Sequence, residues 1–408
     1  MLQRRNVALK EVPASDWLDA ALKAAVEERA SDIHLEPFKS GEIGVRFRID
    51  GMLADVDLSP VPPSETLMAR IKILANLNTT ETRNPQDGHF EIPGAEHQAL
   101  DVRVSFVPTI YGEAAVLRLL NRQGLLMEFP ELGFTSEQLG LIEELVRRPN
   151  GMIFTTGPSG SGKTTVLYAL LRRLNEKTRS ILTLEDPVEY QLEGIRQTQV
   201  SSGSGLTFAA GLRSFLRQDP DIIMVGEIRD EETAEIASRA ALTGHLVLST
   251  LHANSGVGVI VRLTEMGVGR ATLASSLAAV ISRRLIRTIC ESCKEQYDAP
   301  AVLKERLSVK AEAGQNFWRG RGCRECNQSG YRGRTGIHEI LNFDGALKSL
   351  ILEEHSYNAL VEKIHRDHGV KTLREDGLDK VYQGLTTLDE ILRVTEDDDA
   401  APSSHHRS

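Results

Sequence analysis

The sequence predicts an α/β fold preceded by an α+β domain, and three observations carry that expectation. From about residue 137 onward, helical patterns alternate with short, continuous apolar runs at 152–156, 180–184, 222–225 and 246–250. Such runs suit strands buried on both faces of a mostly parallel sheet. Between the first run and the helix after it stands Gly157-Pro158-Ser159-Gly160-Ser161-Gly162-Lys163-Thr164, a complete G-x-x-x-x-G-K-[ST] loop followed by Thr165. Its glycines let successive backbone N–H groups turn inward on phosphate oxygens, Lys163 brings an ammonium to the β- and γ-phosphates, and Thr164 offers a hydroxyl to Mg²⁺. Ahead of the loop, apolar residues alternate with polar ones at the strand period of two, as expected of half-buried strands.

Taken in order, the first element is a helix over about residues 16–29, capped by Ser15, with Leu18, Ala21, Leu22 and Ala25 on one face. A strand over 42–49 places Ile43, Val45, Phe47 and Ile49 on one face and Arg46 and Arg48 on the other, and Asp50-Gly51 then makes a hairpin turn. A helix over about 65–77 and a strand over 101–107 complete the module, with Arg103 on the polar face of that strand. Residues 121–136 read as a linker and 201–205 as a small-residue loop. Residues 346–368 and 391–395 read as helical, and 396–408 as a disordered tail. The expected division is an N-terminal α+β domain (1–128), the P-loop core (129–286), a tetracysteine module (287–340), a C-terminal helical region (341–395) and the tail. Two or three domains suit 408 residues.

A net charge of −9 argues against a broad electrostatic footprint for nucleic acid. The most apolar helical stretch, 268–281, is interrupted by Gly269, Arg270 and serines and falls short of the roughly 20 residues that span a bilayer. No apolar signal core follows Met1, so a cytoplasmic protein is expected. All four cysteines form two C-x-x-C pairs, Cys290/Cys293 and Cys323/Cys326, with 29 residues between them. In a reducing compartment two such knuckles favour a closed, tetrahedral structural Zn²⁺ site.

Phosphate chemistry also needs carboxylates at the strand ends. Asp221-Ile222-Ile223-Met224-Val225-Gly226-Glu227 supplies an apolar strand running into Glu227, the Walker B candidate. The run ending Thr183-Leu184-Glu185-Asp186-Pro187 brings Glu185 to the same edge, and the residues alone leave open which of the two acts as base. His245 and His252 bracket a fourth strand; seven residues apart, they would face opposite ways on an unbroken strand, so at least one lies off it, beside the phosphates, with His252 the catalytic candidate and His245 a nucleotide-binding one.

In this order the segments resemble the secretion and pilus-assembly ATPases, and within them the type II secretion ATPases, over about residues 16–395. The resemblance is carried by Ala30-Ser31-Asp32-Ile33-His34, Arg46-Phe47-Arg48-Ile49-Asp50-Gly51, Pro85-Gln86-Asp87-Gly88, Glu185-Asp186-Pro187-Val188-Glu189-Tyr190 and the Walker B segment through Arg229. The segment 243–252 and the cysteine pairs with Gly330-Tyr331-Arg332-Gly333-Arg334-Thr335-Gly336 complete it. It implies a RecA-like core, ATP as the nucleotide, a homo-hexameric ring, and hydrolysis that drives pseudopilus assembly and protein export. It further implies inner-membrane secretion-platform proteins as partners, and peripheral membrane association through one of them. Mapped by motif, Arg103 and Arg118 resemble the family's arginines that complete a neighbouring ATP site as arginine fingers do. Arg213, Arg217 and Arg229 match interface arginines. The family commonly carries arginine after Pro-Gln-Asp-Gly where this chain has His89, and it extends further at its N-terminus with a domain that docks onto a membrane partner. The competing expectations are a type IV pilus assembly ATPase, a non-hydrolysing nucleotide-gated scaffold, and a DNA translocase, the last disfavoured by the acidic charge.

Overall fold

Alternation of apolar and polar residues in the N-terminal third folds, in the computed structural model, into a six-stranded antiparallel sheet with two helices on it. The structure describes residues 12–93, 99–120, 127–200, 205–309 and 315–395. The expected tail, most of the 201–205 loop and part of the 121–136 linker lie outside the described residues. The chain divides into two compact units, 1–123 with 323–328, and 124–322 with 329–408.

In the first unit, α1 (Ala14–Glu27), β1 (Ala30–Pro37), β2 (Ile43–Ile49), β3 (Met52–Asp55), α2 (Ser64–Leu74), β4 (Gln86–Pro93), β5 (Ala99–Thr109) and β6 (Gly112–Leu120) give the strand order β3-β2-β1-β6-β5-β4. Trp17, Leu18, Ala21, Leu22 and Ala25 of α1 join Leu67, Met68 and Ile71 of α2 over the inward strand residues Ile33, Leu35, Val45, Phe47, Val104, Phe106 and Leu117. Helix α1 begins two residues before the expected start, because Pro13 rather than Ser15 precedes it and its carbonyl accepts from Trp17 N at 3.0 Å. Ser15 lies inside the first turn and donates to Asp16. The helix ends at Glu27, short of the expected Arg29, which takes a left-handed φ of 56°. Likewise α2 stops at Leu74, before Asn76 at φ 56°. Asp50 (φ 49°) and Gly51 (φ 86°) form the expected two-residue hairpin turn, pairing Ile49 with Met52. Lys72 of α2 is buried and its Nζ reaches both Glu113 carboxylate oxygens of β6, at 2.6 and 2.8 Å.

The second unit contains α3 (Ser136–Val146), β7 (Gly151–Thr156), α4 (Lys163–Leu174), β8 (Ile181–Glu185), β9 (Arg196–Gln199), α5 (Phe208–Phe215), β10 (Ile222–Val225), α6 (Glu231–Leu242), β11 (Leu246–Leu251), α7 (Gly256–Glu265), α8 (Arg270–Ser276) and β12 (Leu277–Ile289). It continues through β13 (Lys294–Tyr297), α9 (Ala301–Arg306), β14 (Phe317–Gly320), β15 (Tyr331–Asn342), α10 (Gly345–Glu353), α11 (Tyr357–His368), α12 (Leu373–Tyr382) and α13 (Leu388–Thr395). The seven-stranded sheet runs β15-β12-β7-β11-β10-β8-β9 and is parallel apart from β15. The four continuous apolar runs are β7, β8, β10 and β11, and every residue in them is buried. Phe154, Ile223 and Val247 face one core while Ile153, Ile222 and Leu248 face the other. Pairing of β7 with β11 and β12 puts the strand that enters the phosphate loop inside the sheet.

The stretch 268–281 is not one helix. Helix α8 closes at Ser276, and Leu277 turns extended (φ −67°, ψ 127°) to start β12 beside β7. Two free edges of the ladder are thereby satisfied. Among the described residues no helix is long and apolar enough to cross a membrane. Strands β12 and β15 also run unbroken across residues 286–287 and 340–341, where domain boundaries were expected.

Between α3, β15 and α12, the buried Asp376 carboxylate accepts from Gln138 Nε2 (3.1 Å), His338 N (2.9 Å) and Lys380 Nζ (2.6 Å). Removing it strands a buried ammonium. Asp376→Ala is expected to destabilise the second unit by about 3–5 kcal/mol, read as a fall in the urea midpoint at constant m value; a midpoint within error of the parent would contradict this.

Candidate functional site

The loop is held open by its own glycines and closed against its neighbours by Thr156. Gly157, Gly160 and Gly162 take φ of 144°, 76° and 83°, and Gly162 in the left-handed region caps α4. Thr156 Oγ1 lies 2.8 Å from the carbonyl oxygens of both Leu251 and Ala253 and accepts from Ala253 N at 3.1 Å, fastening the end of β7 to the end of β11. Pro158, Ser159 and Gly160 are exposed, whereas Thr164 and Thr165 are half-buried in the first turn of α4. Lys163 folds onto its own loop and donates from Nζ to the carbonyls of Gly157 (2.8 Å) and Pro158 (3.0 Å). Burial lowers its pKa below the usual lysine value; Glu227 opposes that shift and Arg284 adds to it.

Past the carboxyl end of β10, Glu227 accepts from Arg229 Nη2 at 2.5 Å and lies 3.9 Å from His252 Nε2. Arg229 lies 3.8 Å from Asp186. Burial, then Lys163, push the His252 pKa below its usual value, with Arg229 contributing and Glu227 opposing. Lys163, Glu227 and His252 thus share one electrostatic cluster beside the phosphate loop. Glu185 ends β8 at the same edge of the sheet but is buried, and its oxygens accept from Tyr168 Oη, Thr183 Oγ1 (2.6 Å) and Gln197 Nε2 (3.1 Å). Tyr168 Oη in turn accepts from the amides of Glu189 (3.2 Å) and Tyr190 (3.3 Å), pinning the turn after β8 to α4.

His245 is not part of this cluster. It precedes the amino end of β11, where its carbonyl accepts from Gly151 N (3.1 Å) and its ring lies 2.9 Å from the Ala240 carbonyl. A parallel sheet puts that end opposite the loop, so only His252 of the two histidines stands at the nucleotide edge. In the other unit, Arg103 of β5 and Arg118 of β6 are cross-strand partners. Arg118 donates from Nε to Asp32 at 3.0 Å, while Asp32 pairs in register with Arg48. His89 lies opposite Arg103 on β4. One row of the sheet therefore reads His89, Arg103, Arg118, Asp32, Arg48. Arg213 of α5 pairs with Glu232, and Arg217 donates to the Arg213 carbonyl at 2.9 Å.

Cys290, Cys293, Cys323 and Cys326 bring their Sγ atoms within 4.8 Å of one another. The Cys293 and Cys326 sulfurs accept backbone N–H bonds from Gly322 (3.3 Å) and Cys323 (3.2 Å). Four converging thiols with N–H donors on sulfur fit a tetrahedral thiolate centre.

Sequence reasoning gave no role to Tyr168, to Asp32 or to the adjacent Arg283 and Arg284. The signal for the last two was there: two adjacent arginines following the apolar run 277–281 in one strand, both buried.

A glycine-rich loop after a buried parallel strand, with a carboxylate past the end of a neighbouring strand, defines a RecA-like P-loop protein that binds nucleoside triphosphates. The family model described as "Type II/IV secretion system protein" matches residues 8–393, and the chain belongs to that family. It is 48% identical over 388 residues to the type II secretion system protein E of Pseudomonas aeruginosa, covering 95% of this chain and 76% of that one. It is 46% identical over 387 residues to the type II secretion system ATPase E of Vibrio cholerae, with 95% and 76% covered. Its fold is similar to that of the Legionella pneumophila ATPase DotB (TM-score 0.72, 23% identity, 96% and 98% covered). It is also similar to the pilus retraction motor PilT with bound ADP (TM-score 0.62, 27% identity, 94% and 96% covered).

Two outcomes follow from the geometry. Tyr168→Phe leaves two amides and a buried carboxylate oxygen short of a partner and should destabilise the chain by about 1–3 kcal/mol; a melting curve unchanged from the parent would refute that. In an NMR titration His252 should have a midpoint below the ordinary value near 6.5, and Lys163→Ala should raise it by removing a nearby cation; a downward move would show the pairing is misread.

Proposed function

We propose that this chain hydrolyses ATP and that hydrolysis powers pseudopilus assembly and protein export through a type II secretion system. The observation that carries the reading is the joint placement of the phosphate loop, Lys163, Glu227 and His252 at one sheet edge. It stands in a chain whose similar relatives include the type II secretion system ATPase E. Gly157 through Thr165 wrap the triphosphate, every residue but Pro158 offering a backbone N–H, and Lys163 exchanges its two loop carbonyls for phosphate oxygens. The Thr164 hydroxyl, with Glu227 through water, would hold Mg²⁺, which supplies neutralisation of the phosphate charge. Glu185 already accepts three hydrogen bonds from side chains inside the sheet. Glu227, turned to Lys163 and His252, is therefore the carboxylate we assign to orient the attacking water and accept its proton, with His252 beside it.

Arg103 and Arg118 are assigned to the neighbouring subunit's ATP site in a homo-hexamer, where they would stabilise charge that grows in the transition state. Cys290, Cys293, Cys323 and Cys326 are assigned to one structural Zn²⁺. The α+β region 1–128 serves as the arginine-bearing domain. The protein works in the cytoplasm and attaches peripherally to the inner membrane through secretion-platform proteins, without nucleic acid.

The deciding experiment is ATP turnover on size-separated monomer and oligomer. Turnover should reside in the oligomer, need Mg²⁺, and fall at least about a hundredfold in Lys163→Ala and Arg118→Ala, the latter with nucleotide affinity nearly intact. Equal turnover per chain in the monomer would remove the trans arginines. Tight ATP binding without turnover would replace the motor with a gated scaffold. Metal analysis should give one zinc per chain and its loss in Cys323→Ser; a variant that keeps its zinc sinks the four-thiolate assignment.

A further inference from the structure

Arg283 lies in β12 directly under the phosphate loop and is 3% exposed. Its Nη1 donates to the Gly162 carbonyl (3.2 Å) and its Nη2 to the Leu132 carbonyl (3.3 Å), while Nε has no partner. The loop wraps tightly on this residue: a Cβ on Gly157 would stand 2.4 Å from the Arg283 carbonyl oxygen, and one on Gly162 would stand 3.1 Å from Nη1. The Ser161 hydroxyl in the same loop is also buried without a partner. The nearby titratable groups are no counter-ion. Burial and, secondarily, Arg334 lower the Arg283 pKa to about 10, which leaves it cationic at neutral pH. His338, stacked on Phe134 at 3.7 Å, is held neutral by burial and by Arg283 and Lys380.

A buried cation that meets only neutral carbonyls is costly to the folded chain. The carbonyl it holds belongs to the peptide whose N–H is that of Lys163, one of the donors in the loop. A hydrogen bond to that carbonyl polarises the peptide and strengthens its N–H, and the charge acts across a dry interior. We propose that Arg283 is a phosphate-affinity residue, a buried cation answered only when a nucleoside di- or triphosphate fills the loop, acting through the Gly162–Lys163 peptide without touching the ligand. The proposal rests on the reading of the loop as a nucleotide site.

The test uses the full chain and measures Kd for ATP, ADP and AMP in the parent and in Arg283→Gln, with melting temperature in the absence of nucleotide. Arg283→Gln should weaken ATP by about tenfold, ADP by less and AMP least, while the nucleotide-free melting temperature holds or rises. A merely structural role predicts the reverse pattern, with a lower melting temperature and equal loss for all three ligands, and that result overturns the proposal. Unchanged ATP affinity in Arg283→Gln beside a parent that binds ATP overturns it as well. A parent that binds none of the three overturns the nucleotide-site reading first, and this proposal with it. Should Arg283→Gln not fold, Arg283→Lys keeps the charge and is expected to keep the preference for ATP over AMP; its loss would count against the proposal.

Discussion

Everything at the nucleotide edge depends on β7 being hydrogen-bonded on both sides. Its neighbours β11 and β12 are parallel to it, and β10 and β8 follow in the same sense. The carboxyl ends of these strands therefore converge on one side of the sheet, as in open α/β folds generally. The chain places its loop after β7, the Glu227 carboxylate after β10 and one histidine after β11 without any need for these residues to be close in sequence. Thr156 completes the arrangement by tying the last residue of β7 to the backbone beyond β11.

The first unit is organised by a different constraint. Its antiparallel ladder buries one face under α1 and α2 and leaves the other polar, so cationic residues that are distant in sequence fall into one transverse row. Asp32, 5% exposed, is the anion that orders the row, taking Arg118 directly and lying 3.8 Å from Arg48. His89 occupies the end of that row, opposite Arg103.

Much of this was legible in the residues. Continuous apolar runs gave β7, β8, β10 and β11 to within a residue or two, because burial on both faces leaves no alternation to misread. The Asp50-Gly51 turn and the strand leading to Glu227 were equally plain, since each rests on a local rule. Three readings went astray where a local rule met a tertiary one. Ser15 is a good cap residue, but Pro13 already starts the helix. The 277–281 run has helical neighbours, yet an open ladder beside β7 draws it into a strand. His245 and His252 look alike in sequence, and only strand direction separates them. Tyr168 carried no signal of its own: a tyrosine on a helix face reads as core, and its hydroxyl partners lie 17 to 22 residues away.

Strand β12 has a mechanical meaning. It starts in register with β7, where Ser282 lies opposite Thr156. It stays paired with β15 as far as Ile289, with register irregularities only near its two ends. At about 3.3 Å per residue its 13 residues form a strut of roughly 43 Å, and Cys290 is the next residue along. Arg283, which holds the loop carbonyl of Gly162, and Ile289, the last strand residue before Cys290, thus stand on one continuous ladder.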